Sequence, residues 1–217
     1  MQKIELNDML PAVFAGCADT GSEVWLRDVT LERGKKYLIS AESGTGKSSL
    51  CSYVYGFRTD YSGSLLFDGT NVHSLGVAQW CEVRCRHLAY LPQELRLFPE
   101  LTAMENVLLK NDITGFKAKA DIVRLFEMLG IADKQNSPVD KMSIGQQQRV
   151  AIIRTLCQPY DFIILDEPVS HLDNANNAIV AHLIADEAER QGAGVIATSV
   201  GNNVMINVDK ELKVWKD

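Results

Sequence analysis

The sequence predicts an α/β protein, a layered sheet carrying one inserted helical stretch. Two observations predict it. Short apolar runs of strand length stand at residues 37–40, 64–67, 88–91, 162–165 and 195–198, and helical patterns separate several of them. Between the third and fourth runs the character changes, and residues 102–157 read as helical throughout. With 217 residues the chain has room for one large domain or one domain with a sizeable insertion.

Within the insertion, Thr102 and Glu105 have the spacing of a capping box. The hydroxyl takes one orphan amide at a helix start and the carboxylate takes another, and the helix they open is expected to run to about Lys110. Ile122, Leu125, Phe126 and Leu129 recur at i, i+3, i+4 and i+7, which puts them on one helix face, and Gly130 supplies the stop. Gln158 and Pro159 then separate the last helix from the returning strand, because proline has no amide to give a helix interior.

Composition narrows the function. The chain has 22 basic and 28 acidic residues, a net charge of −6, which gives no long-range attraction to nucleic acid phosphates. Nucleic acid is therefore not the expected ligand. No window approaches the ~18 consecutive apolar residues of a bilayer-spanning helix, and residues 1–11 lack the apolar core of a secretion signal, so a cytoplasmic location is expected. Cys17, Cys51, Cys81, Cys85 and Cys157 are an odd set in a chain large enough to bury a core without staples. Cys81 and Cys85 share a helix spacing, but a closed zinc site needs four ligands and no second pair stands beside them, so reduced thiols are expected.

The strongest local signal is the run Ser40-Ala41-Glu42-Ser43-Gly44-Thr45-Gly46-Lys47-Ser48-Ser49, between an apolar strand and a helical pattern near Leu50. It resembles a phosphate-binding P-loop. Glycines let the backbone curl until successive amides face phosphate oxygens, and the following helix N-terminus adds partial positive charge. Ser43, Gly44, Thr45, Gly46, Lys47, Ser48 and Ser49 are the candidate nucleotide-binding residues, with Lys47 on the β and γ phosphates and the Ser48 hydroxyl on Mg²⁺. Ala41 stands where the motif opens with glycine, and its Cβ restricts the backbone there.

A buried strand then runs through Phe162-Ile163-Ile164-Leu165 into Asp166-Glu167-Pro168. Asp166 is placed for the metal's water shell, and Glu167 stands where proline ends the strand, positioned as base or water-orienter for phosphoryl transfer to water.

With these motifs the chain resembles the nucleotide-binding subunits of ABC transporters over nearly its whole length. Met142-Ser143-Ile144-Gly145-Gln146, followed by Gln147-Gln148-Arg149, is similar to that family's signature; Tyr90-Leu91-Pro92-Gln93 to its Q-loop; Ser170-His171-Leu172-Asp173 to its D-loop. The resemblance implies a P-loop NTPase core with a mixed sheet and an antiparallel β portion. It divides a single domain, 1–217, into a core of about 1–92 and 159–217 and a helical subdomain of about 93–158. It implies ATP and Mg²⁺ as cofactors, Glu167, Gln93 and Lys47 as catalytic residues, and Ser48, Gln93 and Asp166 as metal-binding ones. It also implies two copies paired head to tail, with Ser143, Gly145 and Gln146 of one closing over the P-loop nucleotide of the other.

Two further departures bear on rate. Ile144 replaces a signature glycine and crowds the approach with a β-branched side chain. Ser199 stands where the family places a histidine that contacts the γ phosphate, and a serine is shorter and cannot carry an imidazolium's charge. On that reading Ser199→His raises turnover. None of His73, His87 or His182 lies beside that strand end in sequence, and His171 is expected to make an interface contact. Phe14 is either the aromatic that stacks on adenine or a core residue of a strand.

The expected function is an ATP-hydrolysing subunit, similar to the compact ones serving lipoprotein release, macrolide export or cell division. It dimerises on ATP and powers a separately encoded integral membrane permease, which holds it at the inner face of the membrane. In that scheme Gln93 links the γ phosphate to the helical insertion, and residues 94–107 help form the cleft for the permease's cytoplasmic helix. The alternative is a nucleotide-controlled clamp with little turnover.

Overall fold

The computed structural model describes residues 1–16, 21–40, 44, 46–201 and 203–214. Cys17, Ala41, Ser43 and Thr45 lie outside them, so the expectations placed on these four concern residues that are not described.

The parallel and antiparallel strands occupy two separate sheets. β1 (Lys3–Pro11), β2 (Val29–Glu32), β4 (Tyr61–Phe67) and β5 (Thr70–Asn71) form an antiparallel sheet in the order β2-β1-β4-β5. β3 (Lys36–Ser40), β6 (Leu88–Leu91), β7 (Phe162–Asp166), β8 (Gly194–Ser199) and β9 (Lys210–Lys213) form a parallel sheet in the order β6-β7-β8-β3-β9. Every residue of β7 and β8 is buried, because both faces of a parallel sheet are covered, and this is why these strands show as unbroken apolar runs.

Side-chain parity divides the core in two. Ile163 and Leu165 of β7, with Val195 and Ala197 of β8, pack with the helices α3 (Ala103–Asn111), α4 (Lys119–Met128), α5 (Ile144–Leu156) and α6 (Asn174–Gln191). Phe162, Ile164 and Ile196 point the other way, toward α1 (Lys47–Val54) and the antiparallel sheet, where they meet Ile4, Leu31, Leu50 and Leu65. A short helix, α2 (Val77–Glu82), runs into a π-helical turn, Val83–His87, that leads to β6.

The helical insertion follows its sequence signals. Thr102 caps α3, its Oγ1 accepting from the Glu105 amide at 3.2 Å while the Glu105 carboxylate accepts from the Thr102 amide at 2.7 Å. Ile122, Leu125, Phe126 and Leu129 are buried, and Gly130 takes φ +64° just past α4, where an L side chain would be strained. α5 shares its hydrophobic cluster with the parallel sheet, so the helical stretch is continuous with the core. No helix among the described residues is long and apolar enough to cross a membrane.

Candidate nucleotide site

The parity that builds the core also builds the site. Asp166 ends β7 on the face of Phe162 and Ile164, toward α1, and accepts a hydrogen bond from Ser48 Oγ at 3.2 Å. Ser48 lies in the first turn of α1, which starts directly after the glycine loop. Gly46 caps that helix with φ +95°, and a Cβ there would stand 3.1 Å from Phe14 Cε2 and 3.2 Å from Trp25 Cζ2, so only glycine fits. Lys47, 5% exposed, follows it, and the Ser49 hydroxyl accepts from Arg58 at 3.0 Å.

Glu167 is fastened at three atoms. Its amide donates to Thr198 Oγ1 at 3.1 Å, its carbonyl accepts from Gln148 Nε2 at 3.3 Å, and its carboxylate accepts from Gln93 Nε2 at 3.2 Å. Its φ is +52°, a left-handed backbone that costs about 1–2 kcal/mol at a residue with a Cβ and persists only under such restraint. The Thr198 hydroxyl also donates to Asp166 Oδ1 at 2.7 Å, so one buried threonine on β8 serves both acids.

Phe14, Gly44, Gly46, Lys47, Ser48, Gln93 and Glu167 line a single pocket of about 330 Å³, together with Val200. Phe14 belongs to a 3₁₀ turn, Ala12–Phe14, past the end of β1, which places its ring on the pocket wall instead of in a strand. Ser48, Asp166 and Gln93 offer hydroxyl, carboxylate and amide oxygens, a hard donor set that fits Mg²⁺. The left-handed glycines beside Lys47 and the N-terminus of α1 fit a polyphosphate. Burial, and then the Asp166 charge, push the Cys51 thiol well up, so this neighbour stays a neutral packing residue.

The structure corrects the expectation for Ser199. Val200, not Ser199, lines the pocket. Ser199 continues the parity of Val195 and Ala197, away from Asp166 and Thr198, and is 1% exposed with no hydrogen-bond partner on its Oγ among the described residues. A histidine at 199 would have to enter a filled interior before it could reach a phosphate, so a gain in turnover is no longer expected.

Ser143, Gly145 and Gln146 are not among the described residues lining this pocket. They form the N-terminus of α5, where Ser143 Oγ accepts from the Gln146 amide at 3.3 Å and the Gln146 side chain accepts from the Ser143 amide at 3.0 Å. A Cβ on Gly145 would stand 3.0 Å from the carbonyl oxygen of His171, so glycine there lets α5 lie against the 170–173 turn. Ile144 and His171 are exposed beside it. Sequence reasoning missed Thr198 and Gln148 as site residues. The signal for Thr198 is a polar side chain inside a fully buried apolar strand, which must find partners.

A glycine-turned helix N-terminus with a lysine, a hydroxyl and two strand-end acids around one pocket defines a nucleoside triphosphatase of the P-loop class. A family model described as ABC transporter matches residues 27–170, and the chain belongs to that family, as an ATP-binding and ATP-hydrolysing subunit. It is 34% identical over 173 residues to an uncharacterized ABC transporter ATP-binding protein, YclH, of Bacillus subtilis, covering 78% of this chain and 75% of that one. It is 29% identical over 190 residues to the lipoprotein-releasing system ATP-binding protein LolD of Shewanella denitrificans, covering 86% and 82%. A solved dimeric structure of a bacterial ABC transporter cassette, MJ0796, matches with a TM-score of 0.81 at 23% identity over 97% of this chain and 94% of that one.

Proposed function

We propose that this chain closes with a second copy of itself around ATP and passes the resulting motion to an integral membrane permease. The observation that carries the reading is the separation of the site into two parts on one chain: a pocket lined by Lys47, Ser48, Gln93 and Glu167, with Asp166 bonded behind Ser48, and a capped helix N-terminus at Ser143 outside it. Each half suits the other on a second copy. Lys47 and the loop amides grip the phosphates from one side, while Ser143 and the first-turn amides at Ile144 and Gly145 approach from the other.

In this reading Ser48, Asp166 and Gln93 hold Mg²⁺, which when bound neutralises charge on the β and γ phosphates. Glu167 orients the attacking water and takes its proton, with Gln93 on the carboxylate at 3.2 Å to set its direction. Phe14 stacks on the base.

The cleft for the permease is a separate, mainly apolar cavity of about 240 Å³ lined by Tyr55, Phe57, Tyr90, Phe98, Lys110 and Arg154 among others. Burial pulls Arg154 down to about 10, so it stays cationic at neutral pH, and burial also lowers Lys110. Docking there places the chain at the inner face of the membrane, and its likeness to LolD supports grouping it with the compact subunits. The clamp alternative rested on Ser199, whose side chain faces away from the pocket, so turnover is the reading the site favours.

The test is a pair of variants. Lys47→Ala should lose tight ATP binding in a nucleotide titration. Glu167→Gln should keep it and accumulate as a dimer on size exclusion in Mg-ATP; unchanged affinity in the first, or a monomer in the second at high concentration, counts against the scheme.

A further inference from the structure

Gln148 lies in α5, between two half-buried neighbours, yet is itself only 1% exposed. Its amide is spent on one turn. Nε2 donates to the Glu167 carbonyl at 3.3 Å and to Ser170 Oγ at 3.5 Å, while Oε1 accepts from the His171 amide at 3.0 Å. These bonds straddle residues 167–171, where Pro168 has no amide and Glu167 is left-handed at φ +52°. Within the turn itself, the Ser170 amide reaches the Glu167 carbonyl only at 3.4 Å. A buried amide is costly unless satisfied, and an apolar side chain of the same size would fill this space without that cost. The residue type is therefore explained by what it holds.

We infer that Gln148 is a positioning residue for hydrolysis, fixing the main chain of Glu167 from α5 so that its carboxylate faces the pocket. The inference rests on the proposed role of Glu167 and extends it. Thr198 holds the Glu167 amide from the sheet, and Gln148 holds its carbonyl from the helix whose first residues follow Ser143. Five positions separate Ser143 from Gln148 along one helix. A displacement of the α5 N-terminus, as when it meets a phosphate of a second copy, therefore reaches the Glu167 main chain through a rigid element and the Gln148 hydrogen bond to its carbonyl.

The experiment uses the full chain with Mg-ATP and compares the parent with Gln148→Met, which keeps the volume and removes every bond of the amide. Gln148→Asn keeps the amide and shortens its reach by one methylene, and serves if the methionine variant does not give a cooperative melt. Each is also combined with Glu167→Gln. Gln148→Met should lower kcat between about tenfold and about 100-fold, the range expected when a reacting group is misplaced by up to about 1 Å. The KM for ATP should stay within about threefold, Gln148→Asn should fall between the two, and Gln148→Met should add no further loss to Glu167→Gln.

The inference is overturned if kcat of Gln148→Met stays within about twofold of the parent while Glu167→Gln loses its rate. It is equally overturned if kcat, KM and melting midpoint decline together and the loss multiplies fully with that of Glu167→Gln, since that describes packing alone. A Glu167→Gln variant that keeps the parent rate overturns the role of Glu167, and this inference with it.

Discussion

Thr198→Val tests the construction of the acid pair most directly. The substitution keeps the shape of a side chain that is 1% exposed and removes only its hydroxyl. Two bonds go with it, the 2.7 Å donation to Asp166 Oδ1 and the 3.1 Å acceptance from the Glu167 amide. A hydrogen bond to a charged group contributes about 1.5–3 kcal/mol, and an amide left buried without a partner costs about 1–3 kcal/mol. The valine methyl returns about 0.8 kcal/mol of apolar burial, which leaves a net loss of about 2–5 kcal/mol. For a chain of this size that is a fall in melting midpoint of roughly 4 °C or more. Urea unfolding measures the free energy and phosphate release measures kcat, which should fall with it because Glu167 loses its hold on the sheet side. A free energy within about 0.5 kcal/mol of the parent, the level of an ordinary surface substitution, would show that the hydroxyl does not join the two acids as described.

Gly46→Ala should strain a backbone at φ +95° and press on Phe14 at 3.1 Å and Trp25 at 3.2 Å; the left-handed cost alone is about 1–2 kcal/mol, so ATP affinity measured by titration should fall about fivefold or more. Ser199→Ala removes a buried hydroxyl without a partner and should raise stability by about 1 kcal/mol at unchanged kcat, whereas Ser199→His should lower it by about 1–3 kcal/mol through overpacking and bring no gain in turnover. A histidine variant that is faster and equally stable would place this side chain in the pocket after all. At Asp161, burial alone would raise the pKa, but hydrogen bonds from the Met1 ammonium and His87, with the Arg33 charge, outweigh it and hold the carboxyl below its ordinary value. The stabilisation is complete above the unfolded pKa of about 4 and is lost as pH falls through the lower folded value, so urea midpoints should decline below about pH 4, and less steeply in Asp161→Asn.

What the sequence shows of this fold depends on which face of a strand is covered. β3, β6, β7 and β8 are enclosed on both faces and stand out as apolar runs, within a residue of where they lie. β1 is harder to see. Its residues alternate only as far as Leu6, after which a bulge between Asn7 and Leu10, with Asp8 at φ +48°, resets the register. Gly63 on the facing strand is what admits that bulge, since a Cβ there would stand 2.4 Å from the Asp8 carbonyl oxygen. β9, Lys-Glu-Leu-Lys, buries only Leu212 and is defined by its pairing with β3, a long-range contact that no local pattern encodes. The site divides in the same way. Lys47, Ser48, Asp166, Glu167 and Gln93 are tied to local motifs and come together, but Gln148 sits in a run of three glutamines that is easily taken for a solvated face. Only the packing of α5 distinguishes it from its neighbours.

In the proposed scheme, that packing also ties the permease cleft to the chemistry at Glu167. α5 has 13 residues, about 20 Å at 1.5 Å per residue, and it carries three different attachments. Ser143 caps its start, Gln148 holds the Glu167 turn, and near its end Arg154 donates to the carbonyls of Leu95 and Arg96. Leu95 and Arg96 are left-handed, at φ +57° and +49°, so the segment after Gln93 is as strained as Glu167 and is held by the same helix. Arg154 also lines the apolar cleft, and Gln93 contacts the Glu167 carboxylate. In the proposed scheme, a segment seated in the cleft would press on a guanidinium that fixes the main chain after Gln93, while a phosphate at Ser143 would act on the other end of the same rod. In that scheme both inputs would reach Glu167, one through the Gln93 bond to its side chain and one through the Gln148 bond to its carbonyl. Two strained turns tied to one rigid helix form a physically contiguous route, in which moving the helix changes both restraints on the carboxylate together.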